Sequence, residues 1–326
     1  MGISAKRRAR GEGSKEEAQS RANLYDEVTR KIISELEAGR FPWVQPWDSH
    51  VAPGPGLPMN ALTARRYSGV NVLLLWGAAI EGGYPSQCWL TFKQARQAGG
   101  NIRKGERGTM VVYADRFIPE AEKAKAQETG EDARAVPFLK RFTVFNVAQC
   151  EGLRPEALNA LASQGAPLSE REIIPHAEAL IRATGADFRI GGAEAFYSPS
   201  GDFVSVPPQT AFRDQINFYR TVFHELSHFS GARHRLNRDT LHHYHDSLAV
   251  RMREELVAEL SAAFICAALG IVPTVRHADY LGAWIDLLGE DNRAIFRAAG
   301  QASKAADYIL AFGETEATAD NGREAA

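Results

Sequence analysis

Two histidines and a glutamate fall within five residues, His224-Glu225-Leu226-Ser227-His228, and this is the densest chemistry in the sequence. They lie in an apolar stretch where Ile216, Phe218, Val222, Phe223 and Leu226 suit a helix. Side chains four apart on a helix project from one face, one turn apart, so His224 and His228 can share one Zn²⁺ ion. Glu225 sits beside them, placed to take a proton from a water that the metal polarises rather than to bind the metal. A shuffled chain of this composition would contain the pattern only about 0.02 times. A pair of surface histidines met by chance therefore explains it poorly.

A hydrolytic zinc site needs a third protein ligand and an open fourth position for water. Two residues compete for that place. Glu255 lies 27 residues after His228, in a second amphipathic stretch, Glu255-Leu256-Val257-Ala258-Glu259. Glu259, one turn on, would then orient a ligand histidine. Glu254 and Glu259 are the neighbouring registers from which the ligand could instead come. The rival is local: His224 through His234 also fits H-E-x-x-H-x-x-G-x-x-H, with Gly231 turning the chain and His234 ligating. That class needs a methionine turn downstream, and the only later methionine, Met252, falls inside a predicted helix over 249–269. Glu255 is the favoured third ligand. His242-His243-Tyr244-His245 reads as a solvated loop, because adjacent histidines diverge and no carboxylate spacing supports them. His176 and His277 are isolated and read as surface or core residues.

The net charge of −2 hides an asymmetry. Residues 1–150 carry 22 Lys/Arg against 16 Asp/Glu, and residues 151–326 carry 16 against 24. The +6 half holds four of the five tryptophans, and the −8 half holds six of the nine histidines between His224 and His245. A basic, Trp-rich half suits a polyanion and an acidic, His-rich half suits a metal. Trp43 and Trp47, braced by Pro42 and Pro46 and near Arg66 and Tyr67, have the composition of a platform for unpaired bases. Arg103, Lys104 and Arg107 lie among turn glycines that would free backbone N–H groups for phosphates, and Lys140-Arg141-Phe142 adds charge and an aromatic ring on a strand. Tryptophans that simply fill a core fit the spacing equally well.

The positioning elements read as follows. Residues 1–20 are a basic arm without apolar periodicity, expected to be disordered. Leu24, Val28, Ile32, Ile33 and Leu36 mark a helix that Gly39 stops, Val70 to Ile80 a buried helix, and Thr91 the cap of a short one. Thr109–Tyr113 and Leu139–Val147 alternate as an antiparallel pair around a solvated insertion. Residues 152–168 read as a linker, and Ser169-x-x-Glu172 as a capping box for a helix to about Thr184. Short strands at Asp187–Ile190, Ala195–Ser198 and Phe203–Val206 precede a mostly helical remainder, with a polar, disordered tail at 313–326. Strands then helices make the class α+β, in two domains at 21–151 and 169–312. Phe203–Val206 is the expected edge strand for an added peptide, and Arg235 and Tyr219 are candidates to polarise an oxyanion.

Composition sets the outer limits. A chain of 326 residues with 44% hydrophobic and 24% charged residues is neither disordered, fibrous nor a disulfide scaffold. Its three scattered cysteines fit a reducing compartment. No apolar run reaches the length of a membrane span and the first residues do not read as a signal peptide, so a cytoplasmic monomer is expected.

Several ordered motifs resemble the ArdC family of plasmid antirestriction proteins. They are Asn23-Leu24-Tyr25 through Trp43 and Trp47, Tyr67-Ser68-Gly69-Val70-Asn71 through Trp76, and Trp89-Leu90-Thr91-Phe92-Lys93 through Arg107-Gly108-Thr109. Val144-Phe145-Asn146-Val147 follows, then Asp202-Phe203-Val204, the His224–His228 motif, Arg235-Leu236, and Glu254-Glu255-Leu256-Val257-Ala258-Glu259. The N-terminal motifs are also those of TraC-type plasmid primases. The resemblance implies a single-stranded-DNA-binding N-terminal domain, to which Lys93 belongs, joined to a zincin-like metallopeptidase. It implies a bacterial protein that guards incoming conjugative DNA against host restriction. Two other functions stay open: a metalloprotease that cuts a host protein while anchored on DNA, and a primase-associated factor without protease activity.

Overall fold

The computed structural model describes residues 24–44, 56–118, 122, 136–154, 174–212, 214–272 and 280–324. Leu24, Val28, Ile32 and Leu36 recur every four positions and are all buried, forming the inward stripe of helix α1 (24–37). Gly39, at φ 72°, then turns the chain out of the helix. A four-stranded sheet follows, built from β1 (Met59–Asn60), β2 (Cys88–Leu90), β4 (Thr109–Phe117) and β5 (Val136–Asn146) in the order β1-β2-β5-β4. Only β1 and β2 run parallel. Helix α2 (Val70–Gly82) packs on this sheet, and α3 (Phe92–Gln97) starts from a capping box that Thr91 forms with Gln94. Strands β3 (Asn101–Ile102) and β6 (Cys150–Glu151) make a small separate pair. The basic arm, most of the expected insertion and linker, and the Ser169–Glu172 box lie outside the described residues.

The second half begins with α4 (Pro175–Ala183) and three strands, β7 (Asp187–Ile190), β8 (Phe196–Ser198) and β9 (Phe203–Val206). Their order is β7-β9-β8, with β9 hydrogen-bonded on both sides. This corrects the expectation for Phe203–Val206, which is the central strand and has no free edge; β8 holds the edge. Helices α5 (Ile216–Ser230), α6 (Asp239–His242), α7 (Leu248–Ala268), α8 (Leu281–Glu290) and α9 (Ala294–Glu324) complete the chain. Helix α9 runs through Gly313 to Glu324, over most of the stretch expected to be a tail.

The two halves share one continuous core. Trp43 meets Trp284 of α8 edge-on with ring centroids 5.8 Å apart, and Trp76 of α2 meets Phe264 of α7 at 5.7 Å. Polar ties follow the same seam. Thr29 Oγ1 donates to the Asn292 carbonyl at 2.7 Å, and the Gly69 amide donates to Ser303 Oγ at 2.8 Å. Buried residues of α1 and α2 thus belong to the same cluster as those of α5, α7 and α9.

Candidate metal centre and nucleic-acid face

Helix α5 is buried at every position from Phe218 to Ser230, its polar and charged side chains included, so it runs through the core rather than along the surface. Helix α7, capped by Ser247 Oγ accepting from the Val250 amide at 3.2 Å, lies against it. Their contact brings three predicted residues together. One donor atom from each of His224, His228 and Glu255 lies within 4.8 Å of the others, and all three residues are buried. The Nε2 atoms of His224 and His228 face the Glu255 carboxylate at 3.4 and 3.9 Å. Their other ring nitrogens face outward partners: His224 Nδ1 lies 3.5 Å from Glu259, and His228 Nδ1 lies 3.0 Å from Glu254. With the proton on Nδ1, each ring keeps its Nε2 lone pair for the centre. Two imidazoles and a carboxylate converging at the floor of a cleft of about 920 Å³ fit a divalent ion of zinc's preferences.

Glu254 was missed as an orienting group. In sequence it was only a register alternative to Glu255, because helix spacing does not say which side of α7 meets which histidine. It is fully buried, and its carboxylate accepts from Arg238 at 2.7 and 2.8 Å and from Thr240. Burial alone would raise its pKa, but the Arg238 guanidinium and His228 outweigh that and hold it at about 2. Glu225, also buried, lines the cleft beside the histidines. Tyr244 lines it too and donates a short hydrogen bond to Glu255. Burial first, and the Glu255 charge second, raise the Tyr244 pKa, so the phenol keeps its proton.

The structure leaves other candidates elsewhere. His234 is exposed and sits 3.3 Å from Asp202, outside the three-residue group. Arg235 is not an oxyanion donor: it grips Asp202 through both guanidinium nitrogens at 2.8 Å and lies on the Phe229 ring. Tyr219 is a core residue whose hydroxyl donates to Glu178 at 2.9 Å. His243 pairs with Asp246, in keeping with a solvated loop. Metal content separates the ligand sets: His224→Ala and Glu255→Ala should each reduce about one bound ion per chain to none, while His234→Ala should keep it. The reverse pattern for Glu255 and His234 in plasma emission analysis would refute Glu255 as ligand.

The N-terminal half needs a larger correction. Trp43 is fully buried between Phe41 and Trp284, so it fills the core and cannot stack on a base. Trp47 lies outside the described residues. The cations are at the surface: Arg66, Lys93, Arg103, Lys104, Arg107, Lys140 and Arg141 are all exposed, and Tyr67 is half-buried. Arg103 pairs with Glu106 at 2.7 Å and Arg141 with Glu27, exposed pairs that polyanion binding can replace. The exposed aromatic groups are others. Tyr113 and Phe142 meet edge-on at 6.3 Å on the β4–β5 hairpin, where Tyr113 stands directly opposite Lys140. Phe92, beside Lys93, is 55% exposed. Phe142 is the aromatic that the sequence marks beside Lys140 and Arg141, and its partner Tyr113 is shown only by the pairing of β4 with β5.

Residues 22–145 match the N-terminal domain of the anti-restriction factor ArdC, and residues 175–301 match a zincin-like metallopeptidase family. Protein y4eC of Sinorhizobium fredii is 38% identical over 90% of this chain and 93% of its own length. A DNA primase TraC of Escherichia coli is 34% identical over 90% of this chain, which spans only 28% of that protein. Among solved structures, the metal-free antirestriction protein ArdC from plasmid R388 superposes with a TM-score of 0.74 at 35% identity, covering 90% of this chain and 98% of that one. The Mn(II)-bound structure of the same protein gives 0.72 at 34%, covering 89% and 98%. With both domains matched in order, in sequence and in three dimensions, the chain belongs to the ArdC family of antirestriction proteins.

Proposed function

We propose that this chain protects DNA entering a bacterium by conjugation, binding it as single strands, and that it carries a metallopeptidase centre as well. The observation that carries the reading is the match to ArdC over both domains. Single-strand binding is supported by exposed aromatic rings among cations, Tyr113 and Phe142 beside Lys140 and Arg141, with no groove-reading helix among them. His224, His228 and Glu255 would hold the ion, zinc by donor type; the Mn(II)-bound relative supports a divalent metal. Bound there, it supplies Lewis acidity for hydrolysis. Glu225 at the cleft floor accepts the proton of the attacking water and returns it to the leaving amine. The β8 edge, which lines the same cleft, offers backbone groups to an extended peptide. The site of action is the bacterial cytoplasm; among the described residues no helix is long and apolar enough to cross a membrane.

Plasmid transfer into restricting and non-restricting recipients tests this. Sequestering single strands needs no peptide cleavage, so Glu225→Ala should keep most of the protection. Tyr113→Ala with Phe142→Ala should lose it, together with about tenfold or more in single-strand affinity, since each stacked base contributes about 1–3 kcal/mol. If folded, metal-loaded Glu225→Ala gives no protection, cleavage of a host protein is the function and the DNA-binding half is its anchor.

A further inference from the structure

The acidic half spends its arginines on carboxylates. Arg182, Arg189, Arg235, Arg238, Arg253 and Arg297 all pair with Asp or Glu. Arg154 and Arg220 donate to backbone carbonyls and Arg293 lies over the Tyr25 ring. Arg233 and Arg251 also form no carboxylate pair among the described residues, and these two are exposed and line the metal-centre cleft. Arg251 lies on α7 one turn before Glu255, on the same face. Its guanidinium is propped 5.4 Å over the Tyr244 ring and reaches the Tyr280 hydroxyl at 3.4 Å, so aromatic groups hold it without neutralising it. Arg233 follows α5, on the segment that carries His234. Among the described residues, the acidic ones lining the cleft are Glu225 and Glu255, both buried. In a half with a net charge of −8, two unneutralised cations at one cleft mouth are not a by-product of composition.

We infer that the cleft selects peptides bearing a carboxylate next to the scissile bond, with Arg251 and Arg233 as its recognition groups. The inference rests on the peptidase reading above and names its substrate class. Guanidinium forks recognise carboxylates by paired, charge-assisted hydrogen bonds, and a partly enclosed cleft strengthens them. A nucleic-acid phosphate would satisfy the same cations. The peptide is favoured because the same cleft is bordered by the β8 edge, whose backbone groups can pair with an extended peptide and not with a phosphodiester chain.

The test uses the full-length, metal-loaded chain and a degenerate decapeptide library, half with free C-termini and half amidated. Library peptides retained by immobilised Glu225→Ala protein, and those cleaved by the wild type, are both identified by mass spectrometry. Asp and Glu should be enriched about tenfold over Asn and Gln in both readouts. Enrichment confined to free C-termini would assign the recognised carboxylate to the chain end, and equal enrichment in the amidated pool would assign it to a side chain. Arg233→Glu with Arg251→Glu should reverse the preference toward Lys and Arg, and Arg251→Lys should retain it; metal content and circular dichroism report whether each variant is folded. Retention without charge preference, or a preference unchanged by the double reversal, overturns the inference. So does displacement of the peptides by oligo-dT coupled with weaker oligo-dT binding by the double reversal. Absence of any cleavage by the wild type would instead strike the peptidase reading, while the retention arm still decides the charge preference.

Discussion

Trp43→Ala should destabilise the protein by about 3–5 kcal/mol, and both halves should unfold in a single transition. The side chain has no exposed surface and sits edge-on between Phe41, at 5.6 Å, and Trp284, at 5.8 Å. Its indole Nε1 is buried without a hydrogen-bond partner among the described residues, so the contacts described for it are apolar. Trp284 belongs to α8, more than two hundred residues away in sequence, and both rings lie in the core that joins the halves. The alanine cavity would therefore open at the seam itself. Urea unfolding followed by far-ultraviolet circular dichroism and by tryptophan fluorescence should give coincident, lowered midpoints. At low urea, where the variant is still folded, its affinity for single strands should match the wild type. An unchanged midpoint with a tenfold loss of DNA affinity would return Trp43 to the role that its setting among prolines suggested.

Glu254→Gln should cost a comparable amount, about 3–5 kcal/mol, because it leaves Arg238 buried without a counter-charge. It should also weaken metal binding by about 10–100-fold, since His228 loses the carboxylate that fixes its ring. The pH dependence carries the same signature. Glu254 titrates at about 2 in the folded protein against an ordinary carboxylate value of 4.5. A depressed folded pKa means that the folded state binds fewer protons than the unfolded chain. The stabilisation is complete above about pH 4.5 and is lost as the pH falls through about 2. Glu254→Gln lacks that contribution, so its unfolding midpoint should fall less between pH 5 and pH 3 than the wild-type midpoint does. Replacing both partners, Arg238→Met with Glu254→Leu, should recover much of the stability at pH 7, since a buried pair and an apolar pair differ little once neither leaves a stranded charge. Equal midpoints for wild type and Glu254→Gln at pH 7 would show that the pair is not a structural linchpin.

What the sequence determined by itself follows from short-range geometry. The spacing of His224 and His228, the proximity of Glu225, the Thr91 cap, the Gly39 stop and the alternation of β4 and β5 all depend on residues within one or two turns, where backbone period fixes which side chains share a face. Glu255 was also legible, because a helix presents i and i+4 together and Glu259 lies where an orienting carboxylate would. Tertiary structure decided the rest. Trp43 looked available for stacking because its neighbours are prolines, yet its burial is set by Trp284 on α8, which no local pattern announces. Glu254 looked like a register error until the crossing of α5 and α7 turned it toward His228 and Arg238. Phe203–Val206 looked like an edge until strand order made β9 central, since an edge is a property of the partners a strand finds and not of the strand. Arg251 and Arg233 stand out only because folding brings both to the cleft of the metal centre, from α7 and from the segment after α5. Burial, pairing and edges are relations between distant segments, and the three-dimensional packing of this chain is what assigns them.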